Sequence, residues 1–95
     1  MSKLKIENVL QPGKTYSVYA EKFAAMRKAY LTHVPKSGPG ATPSEIQKAL
    51  LPDLPQHLFP GGDKAGWWAK AVQLDLEAKG VIRRSLKGPV RLTLA

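Results

Sequence analysis

The stretch Asp63–Ile82, DKAGWWAKAVQLDLEAKGVI, decides the fold because it contains both tryptophans of the chain and ends in a clear helix stop. Asp63 can accept hydrogen bonds from the free N–H groups of a first helical turn. Gly80 can adopt the left-handed conformation that closes a last turn. These two signals predict one helix of about 16 residues between them.

Two apolar arcs run along this predicted helix at about 100° per residue. The first arc, which we assign to the core, consists of Ala65, Trp68, Ala69, Val72 and Leu76. The second consists of Trp67, Ala71, Leu74 and Ala78. A polar stripe separates the arcs and consists of Gly66, Lys70, Gln73 and Glu77, with Lys64 and Asp75 on the remaining side. Because a surface helix needs only one apolar face, the second arc must be covered by another segment or by a partner.

The length and composition bound the class of protein. Ninety-five residues predict one domain, residues 1–95, with a single modest core. The absence of cysteine excludes disulfides, thiolate zinc sites and a cysteine nucleophile, and it permits the reducing cytoplasm in which we expect the protein. The N-terminal stretch has no continuous apolar segment, so a signal peptide is not expected, and no apolar run is long enough to span a membrane.

The charge of the chain is the main compositional indication of function. Fifteen lysines and arginines against seven acidic residues give a net charge of +8 and a pI near 10.0. Such a balance favours a polyanionic partner, most often nucleic acid, although lysines also serve simply to keep a surface soluble. Residues 80–95 contain four cations and no acidic residue: Arg83, Arg84, Lys87 and Arg91.

The N-terminal third of the chain predicts a hairpin followed by a helix. Residues 3–7 alternate polar and apolar, Pro12-Gly13 suits a type II turn, and residues 15–18 complete a hairpin. Residues 18–33 then predict a helix with Ser17 as N-cap and Pro35 beyond its end. Its apolar stripe consists of Tyr19, Phe23, Met26, Tyr30 and Val34.

The middle and the end of the chain complete the list of elements. Thr42-Pro43-Ser44-Glu45 is a capping box that starts a second helix, and Pro52 stops it. Residues 52–62 predict a packed loop, in which Leu58 and Phe59 are the candidates to cover the second arc of the tryptophan helix. After Gly80, apolar and β-branched residues flank a Lys-Gly-Pro turn, which predicts a terminal hairpin.

This order of elements resembles the winged helix-turn-helix superfamily. The ending LEAKGVI at residues 76–82 looks like the end of the third helix in that superfamily, and the same stretch is similar to the N-terminal winged-helix domains of Mrr-like restriction endonucleases. The segments ENV, PG, AMR and LFPGG-KAGWW-K-VQLDLEAKG resemble a family of short uncharacterised bacterial proteins. The resemblance implies an α+β winged helix with three helices, an N-terminal short hairpin and a C-terminal β-hairpin wing. Residues 52–62 replace the short turn that usually joins the second and third helices.

The sequence offers no pattern for catalysis. His33 and His57 lack metal-ligand spacing, and Asp75 and Glu77, two residues apart, point to different faces of a helix. We therefore expect no enzyme activity, no metal and no cofactor.

Two functions remain open. The first is binding of double-stranded DNA, with phosphates contacted by the wing cations Arg83, Arg84, Lys87 and Arg91. In the third helix, Lys70 and Gln73 are the candidate DNA contacts. This helix has no arginine to read guanine, so sequence-specific readout by it alone is not expected. The alternative is a protein-interaction module or homodimer that uses a patch around Trp67 and Leu74 and has no nucleic-acid role.

Overall fold

The computed structural model describes residues 2–86 and 88–95. It begins with an antiparallel hairpin of β1, Lys3–Glu7, and β2, Thr15–Tyr19. Leu4 pairs with Val18 and Ile6 with Tyr16, so one face of the hairpin is apolar. Between the strands, the Lys14 N–H donates to the Gln11 carbonyl at 3.1 Å, and Gly13 has a φ of 87°. Both features fit the predicted type II turn.

Helix α1, Ala20–His33, is confirmed, but its predicted start is wrong. Ser17 lies inside β2, and no side chain caps the first turn. Tyr19 therefore lies exposed before the helix and is not part of its buried stripe. The predicted end is confirmed, because Val34 is extended (φ −81°, ψ 124°), as the residue before a proline must be.

Helix α2, Pro43–Leu50, begins at the predicted capping box. The Glu45 N–H donates to the Thr42 hydroxyl at 3.1 Å, and the Thr42 N–H donates to the Glu45 carboxylate at 2.8 Å. The predicted packed loop follows as two single 3-10 turns, Leu51–Asp53 and Pro60–Gly62. Its apolar residues Leu54, Leu58 and Phe59 are buried.

Helix α3, Ala65–Ala78, is the tryptophan helix. The predicted N-cap, Asp63, is wrong, because Lys64 in the left-handed conformation (φ 57°) precedes the first turn and its side chain makes no cap hydrogen bond. Asp63 belongs to the end of the preceding 3-10 turn, where its N–H donates to the Pro60 carbonyl at 3.1 Å. Gly80 ends the helix as predicted. Its φ is 72°, its N–H donates to the Glu77 carbonyl at 3.1 Å, and the Val81 N–H donates to the Leu76 carbonyl at 2.9 Å. These two bonds form a Schellman motif.

The predicted terminal hairpin consists of β3, Ile82–Arg84, and β4, Leu92–Leu94, paired antiparallel. We call residues 82–94 the wing. On its other edge, Leu92 bridges Ala41, just before α2, through backbone hydrogen bonds of 2.8 and 3.1 Å. The wing therefore follows α3 in the chain and is also hydrogen-bonded to the segment that precedes α2.

The core forms around the first arc of α3, whose five members are all buried as predicted. Phe59 packs edge-on against Trp68, with 6.3 Å between ring centroids, so Phe59 covers the first arc and not the second. The N-terminal hairpin instead covers the second arc around Leu74, whereas Trp67 of the same arc stays exposed. The Val9 N–H donates to the Leu74 carbonyl at 3.3 Å, and the Glu7 N–H donates to the Asp75 carboxylate at 2.8 Å.

Asp75 is therefore buried, although the sequence places it on the remaining, outward side of α3. Its carboxylate also accepts from the ammonium of Lys79 at 2.9 Å. This buried carboxylate joins the end of β1 to the C-terminal half of α3. In the described part of the chain, no helix combines the length and the apolarity that crossing a membrane requires.

Candidate functional site

The wing presents its cations unequally. Arg83 is exposed, and no carboxylate of the described residues lies within 4.0 Å of it. Its neighbour Arg84 is held by Glu77, with its Nε donating to Oε1 at 2.5 Å and its Nη2 to Oε2 at 2.9 Å. The guanidinium of Arg84 thus already binds a carboxylate, so a phosphate at this predicted contact would have to compete with Glu77.

Burial and hydrogen bonding act in opposite directions on the pKa of Glu77 in this pair. Burial alone would raise the pKa of Glu77, but hydrogen bonds from Arg84 and Gln73 and the nearby positive charges hold this pKa below its ordinary value. The hydrogen bond to Glu77 raises the pKa of Arg84. The pair therefore stays ionised at neutral pH and joins α3 to β3.

The other two predicted phosphate contacts of the wing are Arg91 and Lys87. Arg91 is half-buried, its Nη1 donates to the Gly40 carbonyl at 3.3 Å, and the same nitrogen lies 3.8 Å from the Glu45 carboxylate. Lys87 lies outside the residues that the structure describes. Among the wing cations that the structure describes, Arg83 is thus the one most open to solvent.

The two predicted DNA contacts of α3, Gln73 and Lys70, differ in their exposure to solvent. Gln73 is completely buried, where its amide nitrogen donates to Glu77 at 3.0 Å and its oxygen accepts from the Tyr30 hydroxyl at 3.4 Å. Burial raises the pKa of Tyr30, which keeps this hydroxyl neutral. The structure corrects the placement of Gln73, which cannot reach a base edge from this position. Lys70 is exposed, as predicted.

An apolar groove of about 220 Å³ lies where the N-terminal hairpin meets α3; we call it the Trp67 groove. Its lining residues are Ile6, Glu7, Asn8, Tyr16, Trp67, Lys70, Ala71 and Leu74. Trp67 is 60% exposed, as expected of a patch residue, whereas Trp68 is 6% exposed. Leu74 is buried among the lining residues, which corrects its placement on an exposed patch.

A second recess of about 180 Å³, which we call the Tyr19 hollow, lies beside Trp67. Lys3, Tyr19 and Trp67 are among its lining residues. The ammonium of Lys3 lies 5.2 Å from the centroid of the Tyr19 ring, which is a cation–π distance. Three exposed aromatic rings therefore occur on one part of the surface. This cluster cannot be read from the sequence, because Tyr16 and Tyr19 lie on β2 and their spacing carries no information about their distance from α3.

The surface as a whole retains most of its positive charge. In residues 2–86 and 88–95, carboxylates lie within 4.0 Å of only three lysines or arginines, namely Lys79, Arg84 and Arg91. Both histidines sit next to single carboxylates, His33 at 2.6 Å from Asp53 and His57 at 3.8 Å from Glu21. The described residues contain no group of three His, Asp or Glu side chains that could hold a metal ion.

Fold and surface together define a small basic α+β protein with three helices and two antiparallel hairpins. The chain belongs to a family of unknown function, DUF6958, whose sequence model matches residues 3–92. This confirms the expected membership of an uncharacterised family. The chain matches no curated protein and no solved structure.

Proposed function

We propose that this chain is a winged-helix module, without enzyme activity, that binds nucleic acid through phosphate contacts. The observation that carries the proposal is the surplus of exposed cations. Fifteen lysines and arginines face seven acidic residues, and the described carboxylates pair with only three of the cations. A surface of this sign attracts a polyanion and gives binding that weakens with salt. A cytoplasmic location, which the lack of cysteine permits, is part of the same proposal.

The layout of the elements supports the winged-helix part of the proposal. Three helices precede a terminal hairpin, and an isolated bridge between Ala41 and Leu92 links the segment before α2 to the outer edge of that hairpin. The similarity to the N-terminal domains of Mrr-like restriction endonucleases belongs to the same proposal and favours duplex DNA as the partner.

Phosphate contacts fit the geometry better than base readout by α3. Residues 72–76 of this helix are all buried, and the N-terminal hairpin covers the side that would otherwise be free. A recognition helix reads bases with side chains that enter the major groove, and this part of α3 has none to offer. Arg83 and the exposed lysines therefore supply the contacts in our proposal.

Binding of random-sequence duplex DNA across a salt series tests the proposal. Each phosphate contact changes the slope of log K against log salt by about −0.9. Arg83→Gln is expected to reduce the slope by about that amount and to weaken unrelated sequences equally, since phosphates carry little sequence information. Arg84→Gln is the matched control, because the neighbouring guanidinium is held by Glu77 and should contribute little to the slope.

Two results would count against this function. One is the absence of duplex binding by the wild-type protein at about 50 mM salt. The other is an unchanged slope when Arg83, Arg84, Lys87 and Arg91 are all replaced by glutamine, since the loss of the Arg83 contact alone should change it by about 0.9.

The second candidate is a homodimer, and the exposure of Trp67 favours it. It ranks lower because Lys3 and Lys70 lie beside Trp67, and a two-fold contact through this surface would bring like charges together. Analytical ultracentrifugation of the wild type and of Trp67→Ala decides between a monomer and a dimer held by this ring.

A further inference from the structure

Trp67 stands between two recesses of similar construction. The Trp67 groove has Tyr16 and Lys70 in its lining, and the Tyr19 hollow has Tyr19 and Lys3. Each recess is thus lined by Trp67, one tyrosine and one lysine. Both tyrosines come from β2, so a single strand supplies the outer ring of each recess.

The central ring is held in place before any ligand arrives. Trp67 packs edge-on against Trp68, with 5.2 Å between centroids and an interplanar angle of 81°. Trp68 is in turn fixed against buried Phe59, and the hydroxyl of Tyr16 donates to the side chain of Gln11. A ring that is already positioned loses little conformational entropy when a planar ligand stacks on it.

The charges around the rings identify the chemistry of the ligand. In the part of the chain that the structure describes, no carboxylate lies within 4.0 Å of the ammonium groups of Lys3 and Lys70. Glu7 lines the Trp67 groove, where its carboxylate would repel a phosphate but can accept a hydrogen bond from the amino group of a base. Flat apolar rings with cations beside them complement a chain of bases and phosphates.

We propose that this surface binds single-stranded nucleic acid, with one unpaired base on each side of Trp67. Lys70 and Lys3 contact the adjoining phosphates, as in other surfaces that combine aromatic stacking with a basic track. In a duplex, the bases are already stacked and paired, so they cannot enter the recesses without being extruded. The inference rests on the proposed function for its ligand class, but it concerns a different surface and a different form of the nucleic acid.

Fluorescence anisotropy with a labelled oligodeoxyadenylate tests the inference, and the same measurement with a duplex runs in parallel. Trp67→Ala is expected to weaken single-strand binding roughly 5- to 150-fold, the range for loss of a base–aromatic stack, and to leave duplex binding unchanged. Trp67→Phe should retain most of the affinity because it keeps a ring. Leu10→Ala is the matched control, since Leu10 is an exposed apolar residue that lines neither recess.

Replacing a lysine by glutamine tests the proposed phosphate contacts independently of the aromatic stacking. Lys70→Gln should reduce the salt slope of single-strand binding by about 0.7, the value for one contact to a single strand. Lys36→Gln is the control and should not change the slope, since Lys36 is an exposed lysine that lines neither recess. If Trp67→Ala fails to fold by circular dichroism, Tyr19→Ala tests the same stacking from the second recess.

The outcomes separate this inference from the proposed function. Duplex binding without single-strand binding, or single-strand binding that Trp67→Ala leaves unchanged, overturns the inference alone. Absence of binding to either form overturns both proposals. A wild-type dimer that Trp67→Ala converts to a monomer would show that the surface contacts a second copy of the chain, which also overturns the inference.

Discussion

Replacing Arg84 by alanine is expected to destabilise the fold much more than replacing its neighbour Arg83. The guanidinium of Arg84 bonds both oxygens of Glu77, whose side chain is only 4% exposed. Without Arg84, the carboxylate keeps the amide of Gln73 at 3.0 Å as its remaining strong hydrogen-bond donor. Arg83 is exposed and has no such partner among the described residues, so its loss removes no comparable contact.

The magnitude follows from the burial of the two partners. Removing one member of a fully buried ion pair costs about 3–5 kcal/mol, because it leaves an uncompensated charge. The side chain of Arg84 is 33% exposed, so water already screens this pair and can reach Glu77 once the arginine is gone. We therefore expect a loss of about 2–3 kcal/mol for Arg84→Ala and less than about 0.5 kcal/mol for Arg83→Ala. The larger loss is a substantial share of the about 5–14 kcal/mol expected for a domain of this size.

The loss should also depend on pH. The folded-state pKa of Glu77 lies below its ordinary value of 4.5, which stands for the unfolded chain. The free energy that the pair contributes is therefore fully present above pH 4.5 and is lost as the pH falls through the lower, folded-state pKa. Arg84 remains charged throughout, since its pKa is raised. The difference between the wild type and Arg84→Ala should be largest at neutral pH and should shrink in acid.

Urea unfolding followed by circular dichroism at neutral pH and at acid pH measures both effects. The reasoning is refuted if Arg83→Ala and Arg84→Ala unfold at the same urea concentration at neutral pH. It is also refuted if the difference between the wild type and Arg84→Ala does not change when Glu77 is protonated.

Three further substitutions test other parts of the structure. Trp68→Ala should lower the free energy of unfolding by about 3–5 kcal/mol because the ring is buried in the core, whereas Trp67→Ala should lower it by less than about 1 kcal/mol. Thermal melts compare the two variants, and equal melting temperatures would contradict the assignment of the two arcs. Gly40→Ala should destabilise the protein by at least about 1–2 kcal/mol more than Gly38→Ala, as measured by urea unfolding. Both glycines have a positive φ, but only at Gly40 would an added Cβ lie 2.8 Å from the backbone of β4. Asp75→Ala should lower the free energy of unfolding by about 1.5–3 kcal/mol. It should also speed hydrogen exchange of the last amide of β1, which donates to this carboxylate. If that amide exchanges at the wild-type rate, the bond does not hold the hairpin.

The sequence by itself determined the elements whose signals are local. The capping box at Thr42 and Glu45 and the glycine stop at Gly80 join groups only a few residues apart, so their hydrogen bonds do not depend on distant segments. The core arc of α3 was predictable for a related reason, since the helical period alone places its residues on one face. The start of α3 was not predictable in this way, because the helix begins after a 3-10 turn and a left-handed Lys64 and has no side-chain cap.

The tertiary structure alone decided which polar and charged side chains are free. Asp75 and Gln73 have ordinary polar positions on a helix, but the N-terminal hairpin and α1 come from far away in the chain and bury them. Arg83 and Arg84 are adjacent and identical in sequence, yet the alternation of side chains along β3 turns only one of them to Glu77. The aromatic surface of Tyr16, Tyr19 and Trp67 likewise exists only because the hairpin packs on α3. Long-range packing fixes these environments, and composition and periodicity carry no information about which distant segment will supply the contact.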